Sequence, residues 1–385
     1  MANTIRVRSR HLDAAEVSWF APICNGDTDF LGEMPNQYKS NWENASKILL
    51  TADKLGYRNI LCPSSYQVGQ DTLTFASAVA PFTENINLLA AVRCGEVHPP
   101  MLARALATLD HILKGRLTIN IISSNLPGEN LDSTARYQRS REVINVLKQA
   151  WTQDFIDVKG DFYNFKLPTA PVKPYQQNGG PLLYFGGYSP AGVDLCAEHC
   201  DVYLMWPETE TRLQELMQNM SDKAATYNRE VDFGLRIHMI VRETEDEARA
   251  YAQRLMSKLE VEKGKEIRER ALDAKSYGVA RQADMRTASD HDGYVEDNLW
   301  TGIGRARSGC GAALVGTPDQ ILAKIRRYMD MGIRSFIFSG YPHLQECELF
   351  AKYVLPELKT VSLPQVQGRI PTEIPLTPLG AGQRR

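Results

Sequence analysis

The chain has 385 residues and a formal net charge of -2, with 23% charged and 43% hydrophobic residues. This length suits one large domain or two smaller ones, and the near-neutral charge without a basic stripe argues against a nucleic-acid partner. Seven scattered cysteines predict reduced thiols in a cytoplasmic protein rather than a disulfide framework. From the sequence we expect neither a secretory signal nor a membrane-spanning segment, because no run of residues is long and apolar enough.

From near its beginning to near its end, the chain alternates between strand-like and helix-like segments. The strand-like segments are 17–22, 59–62, 86–92, 117–122, 182–185, 202–204, 233–241 and 335–338. The helix-like segments are 40–55, 71–79, 99–113, 139–151, 191–199, 208–227, 317–331 and 343–358. About eight such units predict an α/β protein with a single (β/α)₈ TIM barrel, whose chemistry lies at the carboxyl ends of the strands.

Two segments fall outside this alternation. Residues 259–311 lie between the seventh and eighth units, are rich in charge, and predict an insertion at the barrel mouth that is part helical and part mobile. Residues 362–385 are rich in proline and poor in large apolar groups, which predicts an extended tail. The predicted barrel domain is therefore 1–361.

The strand-like segment 233–241 has an unusual inner face. Its alternation places Leu235 and Ile237 on one side, and Arg236 and His238 on the other. Because the segment is apolar to its end and helices flank it, we expect both faces to be covered. Buried cations are unfavourable unless they are paired or compensated by a ligand, so an anionic ligand is one interpretation. The alternative is an arginine salt-bridged within the barrel beside a hydrogen-bonded core histidine.

Other candidate residues follow the predicted strands. Gly187, Tyr188 and Ser189 lie between a strand and a helix, which in principle forms a phosphate cradle, although a tight turn needs glycine without any ligand. Aromatic Trp206 and Tyr341 follow later strands. Together with Arg307 from the insertion, they would suit a flat cofactor and a small anion. No metal-ligand pattern is present, so we predict no metal site.

Several sequence blocks carry a family resemblance over residues 17–358. The chain resembles the bacterial luciferase-like flavin monooxygenases, and most closely the alkanesulfonate monooxygenases that cleave carbon–sulfur bonds with reduced FMN. Single blocks occur across these flavin barrels, but the Arg-x-His strand paired with Ser-Gly-Tyr-Pro-His is typical of the sulfonate branch. The blocks are Thr108-Leu-Asp-His-Ile-Leu-Lys-Gly-Arg116, Arg136-Tyr137, Leu183-Tyr-Phe-Gly-Gly187, Tyr203-Leu-Met-Trp206, Gly234-Leu-Arg-Ile-His-Met-Ile-Val-Arg-Glu243, Asn298-Leu-Trp-Thr-Gly302 and Ser339-Gly-Tyr-Pro-His-Leu344.

The resemblance implies specific roles. Active-site positions match Arg236, His238, Arg307, Tyr341 and Trp206, and flavin-phosphate positions match Tyr137, Gly187, Tyr188 and Ser189. It further implies FMNH₂ supplied by a separate NAD(P)H-dependent flavin reductase, O₂ as co-substrate, and sulfite and an aldehyde as products. We also expect a homo-oligomer, a dimer or a tetramer.

The chain departs from the alkanesulfonate enzymes in two loops. Cys24 stands where those enzymes have a histidine, and Ser64-Ser-Tyr-Gln-Val-Gly-Gln70 stands where they have an active-site cysteine. A polar loop offers hydrogen bonds to hydroxyls, so a sugar sulfonate such as sulfoquinovose is an alternative to a simple alkanesulfonate. An F420-dependent oxidoreductase and a non-catalytic flavin-binding relative also remain open.

Overall fold

The computed structural model describes residues 4–24, 27–33, 40–66, 69–260, 262, 264, 277–307 and 309–375. Within these residues, eight parallel strands close into a barrel, as the alternation predicted. Each strand pairs with the next along the chain, and the last pairs with both the seventh and the first. The barrel strands are β1 (Glu16–Phe20), β2 (Asn59–Cys62), β3 (Asn87–Arg93), β4 (Leu117–Ile122), β7 (Leu182–Phe185), β8 (Val202–Met205), β9 (Asp232–Val241) and β13 (Ile333–Ser339).

Helices flank the barrel, most of them on its outside. They are α1 (Trp42–Leu55), α2 (Thr72–Val79), α3 (Pro99–Ile112), α4 (Ser133–Thr152), α5 (Pro190–His199), α6 (Glu210–Ala225), α7 (Glu245–Met256), α8 (Tyr277–Ala288), α9 (Pro318–Met331), α10 (His343–Tyr353) and α11 (Leu363–Val366). The end of α1 follows the sequence signal, because Gly56 adopts the left-handed conformation at φ 90° that terminates a helix. None of the described helices combines the length and apolar character needed to cross a bilayer.

All ten residues of β9 are buried, as predicted for a strand covered on both faces. Leu235, Ile237 and Met239 belong to the main core. Arg236 and His238 alternate with them and therefore face the barrel interior. There they adjoin a second apolar cluster that includes Phe20, Leu204 and Ile337.

Two small β-structures were not predicted from the sequence. The first is an antiparallel hairpin of β5 (Phe155–Lys159) and β6 (Asn164–Pro168), whose residues alternate between exposed and covered. The second is formed by β10 (Tyr294–Glu296), β11 (Leu299–Trp300) and β12 (Ala313–Gly316). Because β12 pairs with the carboxyl-terminal half of β9, the end of the insertion is fixed directly to the strand that carries His238.

The insertion and the tail differ in part from expectation. In 259–311 the helical part is α8, while most of the charged run from Lys263 to Arg270 lies outside the described residues. The tail was predicted to be extended, but its first part contains α11, whose Leu363 reaches the cluster inside the barrel. Proline is compatible with the first turn of a helix, where its missing N–H is not needed. Residues 376–385 lie outside the described residues.

Candidate active site

Arg236 lies in the barrel interior with 7% of its surface exposed. Its guanidinium carbon is 4.2 Å from the centroid of the Phe20 ring, and Nη1 donates a hydrogen bond to Ser339 Oγ at 3.4 Å. It forms no ion pair with any described carboxylate. Burial lowers the pKa of Arg236 below its usual value. The salt-bridged alternative therefore does not hold for the described residues.

Arg307 brings a second guanidinium from the insertion. Its guanidinium carbon is 5.6 Å from the centroid of the Tyr341 ring, and its Nη1 is buried without a partner among the described residues. Burial, followed by the positive charge of Arg236, lowers the pKa of Arg307 to about 10. A negative charge beside Arg236 and Arg307 would compensate both guanidinium groups.

His238 and Tyr341 lie in the same part of the barrel interior as Arg236. Nδ1 of His238 lies 2.9 Å from Ser339 Oγ, and its Nε2 has no partner within the described chain. Burial and the charges of Arg236 and Arg307 hold the pKa of His238 well below 6.5, so the imidazole is neutral. Tyr341 is 2% exposed, and its hydroxyl also lacks a described partner.

His343 and Asp27 belong to the same cluster but were not selected from the sequence. Asp27 Oδ1 is 2.8 Å from His343 Nδ1, and both side chains are fully buried. The His343 ring meets the Tyr341 ring nearly at right angles, with centroids 5.0 Å apart. The sequence could have indicated that Asp27 and His343 are close, because a closed barrel brings the loops after its first and last strands together.

The predicted flavin-phosphate residues converge at the N-terminus of α5. Ser189 is the N-cap and accepts a hydrogen bond from the Gly192 backbone N–H at 3.2 Å. A Cβ on Gly192 would lie 3.0 Å from the Tyr137 hydroxyl, and one on Gly187 would lie 3.5 Å from it. The two glycines therefore leave space between this hydroxyl and the helix end. Helix N-termini favour anions, so the arrangement fits a phosphate monoester such as that of FMN.

Tyr188 differs from the other members of this group. Its hydroxyl accepts a hydrogen bond from the Trp206 backbone N–H, and burial raises the pKa of the phenol. The two rings lie 6.3 Å apart. Tyr188 thus connects the end of β7 to the end of β8, and its hydroxyl is already engaged.

Trp206 also contacts the insertion. A Cβ on Gly278, in α8, would lie 2.8 Å from the Trp206 ring, which requires glycine at this crossing. Gln282 of α8 donates to the Pro207 carbonyl at 2.7 Å and accepts from the Gly311 backbone N–H at 3.0 Å. Gln282 therefore joins the Trp206 loop to the segment that carries Arg307.

The two loops in which this chain differs from the alkanesulfonate enzymes contact each other. The Cys24 thiol is 2% exposed and donates to the Pro63 carbonyl at 3.2 Å, and burial raises its pKa to about 12. Cys24 is therefore a protonated thiol rather than a nucleophile. The Gln70 backbone N–H donates to the Ile23 carbonyl at 2.9 Å. Gln67 and Val68 of the predicted polar loop lie outside the described residues.

A sequence model described as luciferase-like monooxygenase matches residues 15–335, which is most of the chain. The chain belongs to this family. Luciferase-like monooxygenases are oxidoreductases, and the resemblance expected from the sequence blocks is confirmed. Among the described residues, no group of histidine, cysteine, aspartate or glutamate side chains could hold a metal ion.

Two curated relatives are similar over nearly the whole luciferase-like chain. A sulfoquinovose monooxygenase of Agrobacterium fabrum is 58% identical over 381 residues, covering 99% of both chains. A sulfoquinovose monooxygenase of Novosphingobium aromaticivorans is 51% identical over 351 residues, covering 89% of this chain and 96% of the relative.

Solved structures share the luciferase-like fold at low identity. A long-chain alkane monooxygenase superposes with a TM-score of 0.70 at 18% identity, covering 94% of each chain. A Baeyer-Villiger monooxygenase from Pseudomonas putida, in complex with FMN, gives a TM-score of 0.65 at 18% identity and covers 90% of this chain and 100% of its own. An F420-dependent alcohol dehydrogenase gives 0.60 at 17% identity, covering 89% and 98%. Proteins with this fold thus use FMN or F420.

Proposed function

We propose that this chain is the oxygenase of a two-component system that uses FMNH₂ and O₂ to cleave the carbon–sulfur bond of an organosulfonate. The products are sulfite and an aldehyde, and the substrate is the sugar sulfonate sulfoquinovose. The observation that carries the proposal is the pair Arg236, which is buried on β9, and Arg307, whose Nη1 is buried; neither guanidinium forms a salt bridge with a carboxylate of the described residues. The substrate name carried by the relatives at 58% and 51% identity supports the sugar over an alkyl chain.

A sulfonate matches the two arginines in charge and shape. It is an anion at every physiological pH, and its oxygens can accept charge-assisted hydrogen bonds from planar guanidinium groups. The anion would also restore the pKa of Arg307 towards its usual range, because it compensates the charge of Arg236. Lysines in the same positions could lose their protons on burial, whereas arginines retain them.

FMN fits the residues that would hold it. Tyr137, Gly187 and Ser189 would bind its phosphate at the N-terminus of α5, and Trp206 would contact the flavin. When bound in reduced form, FMN supplies the activation of O₂. The sequence contains no nicotinamide fingerprint, so we propose that a separate NAD(P)H-dependent reductase provides FMNH₂.

The remaining residues orient the reacting groups. His238 is neutral and buried, so its free Nε2 and the Tyr341 hydroxyl can hydrogen-bond the substrate without adding a third positive charge. Within the domain 1–361, we propose that segment 259–311 is a lid over the barrel mouth, and that its closure excludes water from the site. We further propose that the protein is cytoplasmic, a location that suits seven free, buried cysteines, and that it forms a homo-oligomer.

Cofactor titration and product analysis test this proposal. The protein is titrated anaerobically with FMNH₂, FMN and F420, and then supplied with FMN, NADH, O₂ and a flavin reductase. Sulfoquinovose and linear alkanesulfonates are compared by sulfite release and by the paired organic product. We expect tightest binding of FMNH₂ and sulfite release from sulfoquinovose. Absence of sulfite from every substrate, with FMNH₂ bound, would contradict the sulfonate assignment, and preferential binding of F420 would favour the deazaflavin alternative.

Matched variants locate the reaction in the proposed site. Arg236→Met should abolish sulfite release. Arg229→Met is the control, because Arg229 donates to the carbonyls of Ala197 and Cys200 just before β8, at the opposite end of the barrel. Rapid NADH oxidation by the chain alone, with FMN present, would contradict the need for a separate reductase.

A further inference from the structure

Asp27 and His343 form a buried pair where the first and last barrel strands meet. Asp27 Oδ1 accepts hydrogen bonds from the backbone N–H of His343 at 2.9 Å and from its Nδ1 at 2.8 Å. It also accepts from the Thr28 backbone N–H at 3.0 Å. Asp27 is 1% exposed and His343 is 0% exposed. The carboxylate therefore fixes both the start of α10 and the ring of its first residue.

This contact selects one form of the imidazole. A carboxylate only accepts hydrogen bonds, so Nδ1 of His343 carries a proton, and in the neutral ring the lone pair is on Nε2. Nε2 has no hydrogen-bond partner within the described residues. The ring lies between the rings of Phe20, with centroids 5.5 Å apart, and Tyr341, with centroids 5.0 Å apart. A basic nitrogen is thereby held beside the cluster of Arg236, His238 and Tyr341.

The two histidines of the cluster have opposite surroundings. His238 has the hydroxyl of Ser339 at Nδ1, and burial, followed by the positive charges of Arg236 and Arg307, lowers its pKa and keeps it neutral. His343 has a carboxylate at Nδ1, and a carboxylate there stabilises an imidazolium once the other nitrogen takes a proton. Of the two rings, His343 is therefore the one equipped to receive a proton.

We propose that Asp27 is a positioning residue that prepares His343 to accept the proton released when the carbon–sulfur bond breaks. The inference rests on the proposed function, in which the carbon that bears the sulfonate would become hydroxylated, with O₂ as the source of the oxygen, reduced FMN as the source of the electrons and the second oxygen atom leaving as water. The O–H bond then breaks and its electron pair forms the C=O bond. The C–S bond breaks with its pair, so sulfite leaves, and the proton passes to Nε2 of His343.

Replacement of Asp27 by asparagine isolates its charge. In Asp27→Asn the amide oxygen can still accept from the His343 backbone and from Nδ1, so α10 keeps its start. We expect kcat for sulfite release to fall by about 10²- to 10⁴-fold, as for the aspartate of a catalytic triad, while KM and FMNH₂ affinity change by less than about threefold. Asp29→Asn, a half-buried aspartate in the same loop, is the matched control and should retain kcat.

A double variant and a spectrum of ¹⁵N-labelled histidine rings distinguish a positioning role of Asp27 from a purely structural one. Asp27→Asn combined with His343→Gln should be no slower than His343→Gln alone, because the two residues act as a unit. In protein labelled with ¹⁵N in its histidine rings, His343 should be protonated at Nδ1 and unprotonated at Nε2, and Asp27→Asn should reduce this preference. The signal is assigned by its loss in His343→Gln.

The possible failures are distinguishable. If wild-type protein releases sulfite and Asp27→Asn keeps its kcat, the inference is wrong and the proposed function stands. A His343 ring protonated at Nε2 in the neutral wild-type protein would also overturn it. If the wild-type protein releases no sulfite from any sulfonate, both the proposed function and the proton transfer fail, whatever the spectrum shows.

Discussion

The rings of His238 and Tyr341 stack against each other, with centroids 5.4 Å apart and planes inclined at 25°. Arg307 lies over the same tyrosine, and Arg236 precedes the histidine by two positions on β9. Burial, followed by the charges of Arg236 and Arg307, holds the pKa of His238 well below 6.5, so the histidine does not add a third positive charge. The stack is therefore a neutral, flat surface beside the Arg307 guanidinium.

Replacement of Arg236 by lysine should weaken binding of the transition state. The variant keeps a positive charge but loses the planar group that stacks on Phe20 and can make two parallel hydrogen bonds. We expect kcat/KM for sulfite release to fall by an amount equivalent to about 1–3 kcal/mol. Arg229→Lys, at the other end of the barrel, is the control. Equal kcat/KM for Arg236→Lys and wild type would remove Arg236 from the substrate site.

Truncation of Arg307 tests the lid. Arg307→Ala should lower turnover on the order of 10²-fold, because one cation near the anion is lost from a water-excluded site. FMNH₂ affinity, measured by anaerobic titration, should be unchanged, since the proposed phosphate cradle lies at α5. Arg305→Ala, an exposed position two residues earlier, is the matched control. Unchanged turnover of Arg307→Ala would contradict the lid assignment.

The proposed phosphate site can be tested at Ser189, the N-cap of α5. Ser189→Ala should lower FMNH₂ affinity by roughly 5- to 30-fold, equivalent to about 1–2 kcal/mol, and should also destabilise α5 by about 1 kcal/mol. Thr209→Ala removes the comparable cap of α6, where the hydroxyl accepts from the Arg212 backbone N–H at 3.4 Å. It should lose similar stability and bind FMNH₂ normally. Equal FMNH₂ affinity in both variants would place the phosphate elsewhere.

The barrel could be predicted from sequence because its strands are short, continuous apolar runs separated by amphipathic helices. The same criterion missed β5 and β6, which alternate exposed and covered residues at the surface, and β11, which has only two residues. It also missed α11, because the proline-rich composition of the tail concealed a helix that begins with proline in its first turn.

The site could be predicted only in part. The alternation along β9 placed Arg236 and His238 inside the barrel, since a strand fixes the side of each residue. Asp27 and His343 are separated by 316 positions, and only the pairing of β1 with β13 brings their loops together. The arrangement around Arg307 depends on contacts of Gln282 with two loops, which no local pattern encodes.

The buried position of His199, at the end of α5, predicts that the free energy of unfolding depends on pH. It is 6% exposed, and burial, followed by the charges of Lys148, Arg141 and Arg229, lowers its pKa from 6.5 to about 3. The unfolded chain therefore takes up a proton below about pH 6.5 that the folded chain does not bind. The free energy of unfolding should fall with decreasing pH between about 6.5 and 3, by up to about 1.4 kcal/mol per pH unit for this group.

Replacement of His199 should reduce the slope of the unfolding free energy against pH by the equivalent of about one bound proton. Urea unfolding of wild type and His199→Leu is measured at fixed protein concentration between about pH 4 and pH 7. His238 contributes with the same sign in both proteins, because its pKa is also lowered. His291→Leu is the control, since the side chain of His291 is 90% exposed and its loss should leave the slope unchanged. If His199→Leu keeps the wild-type slope, His199 is protonated in the folded protein and burial does not hold it neutral.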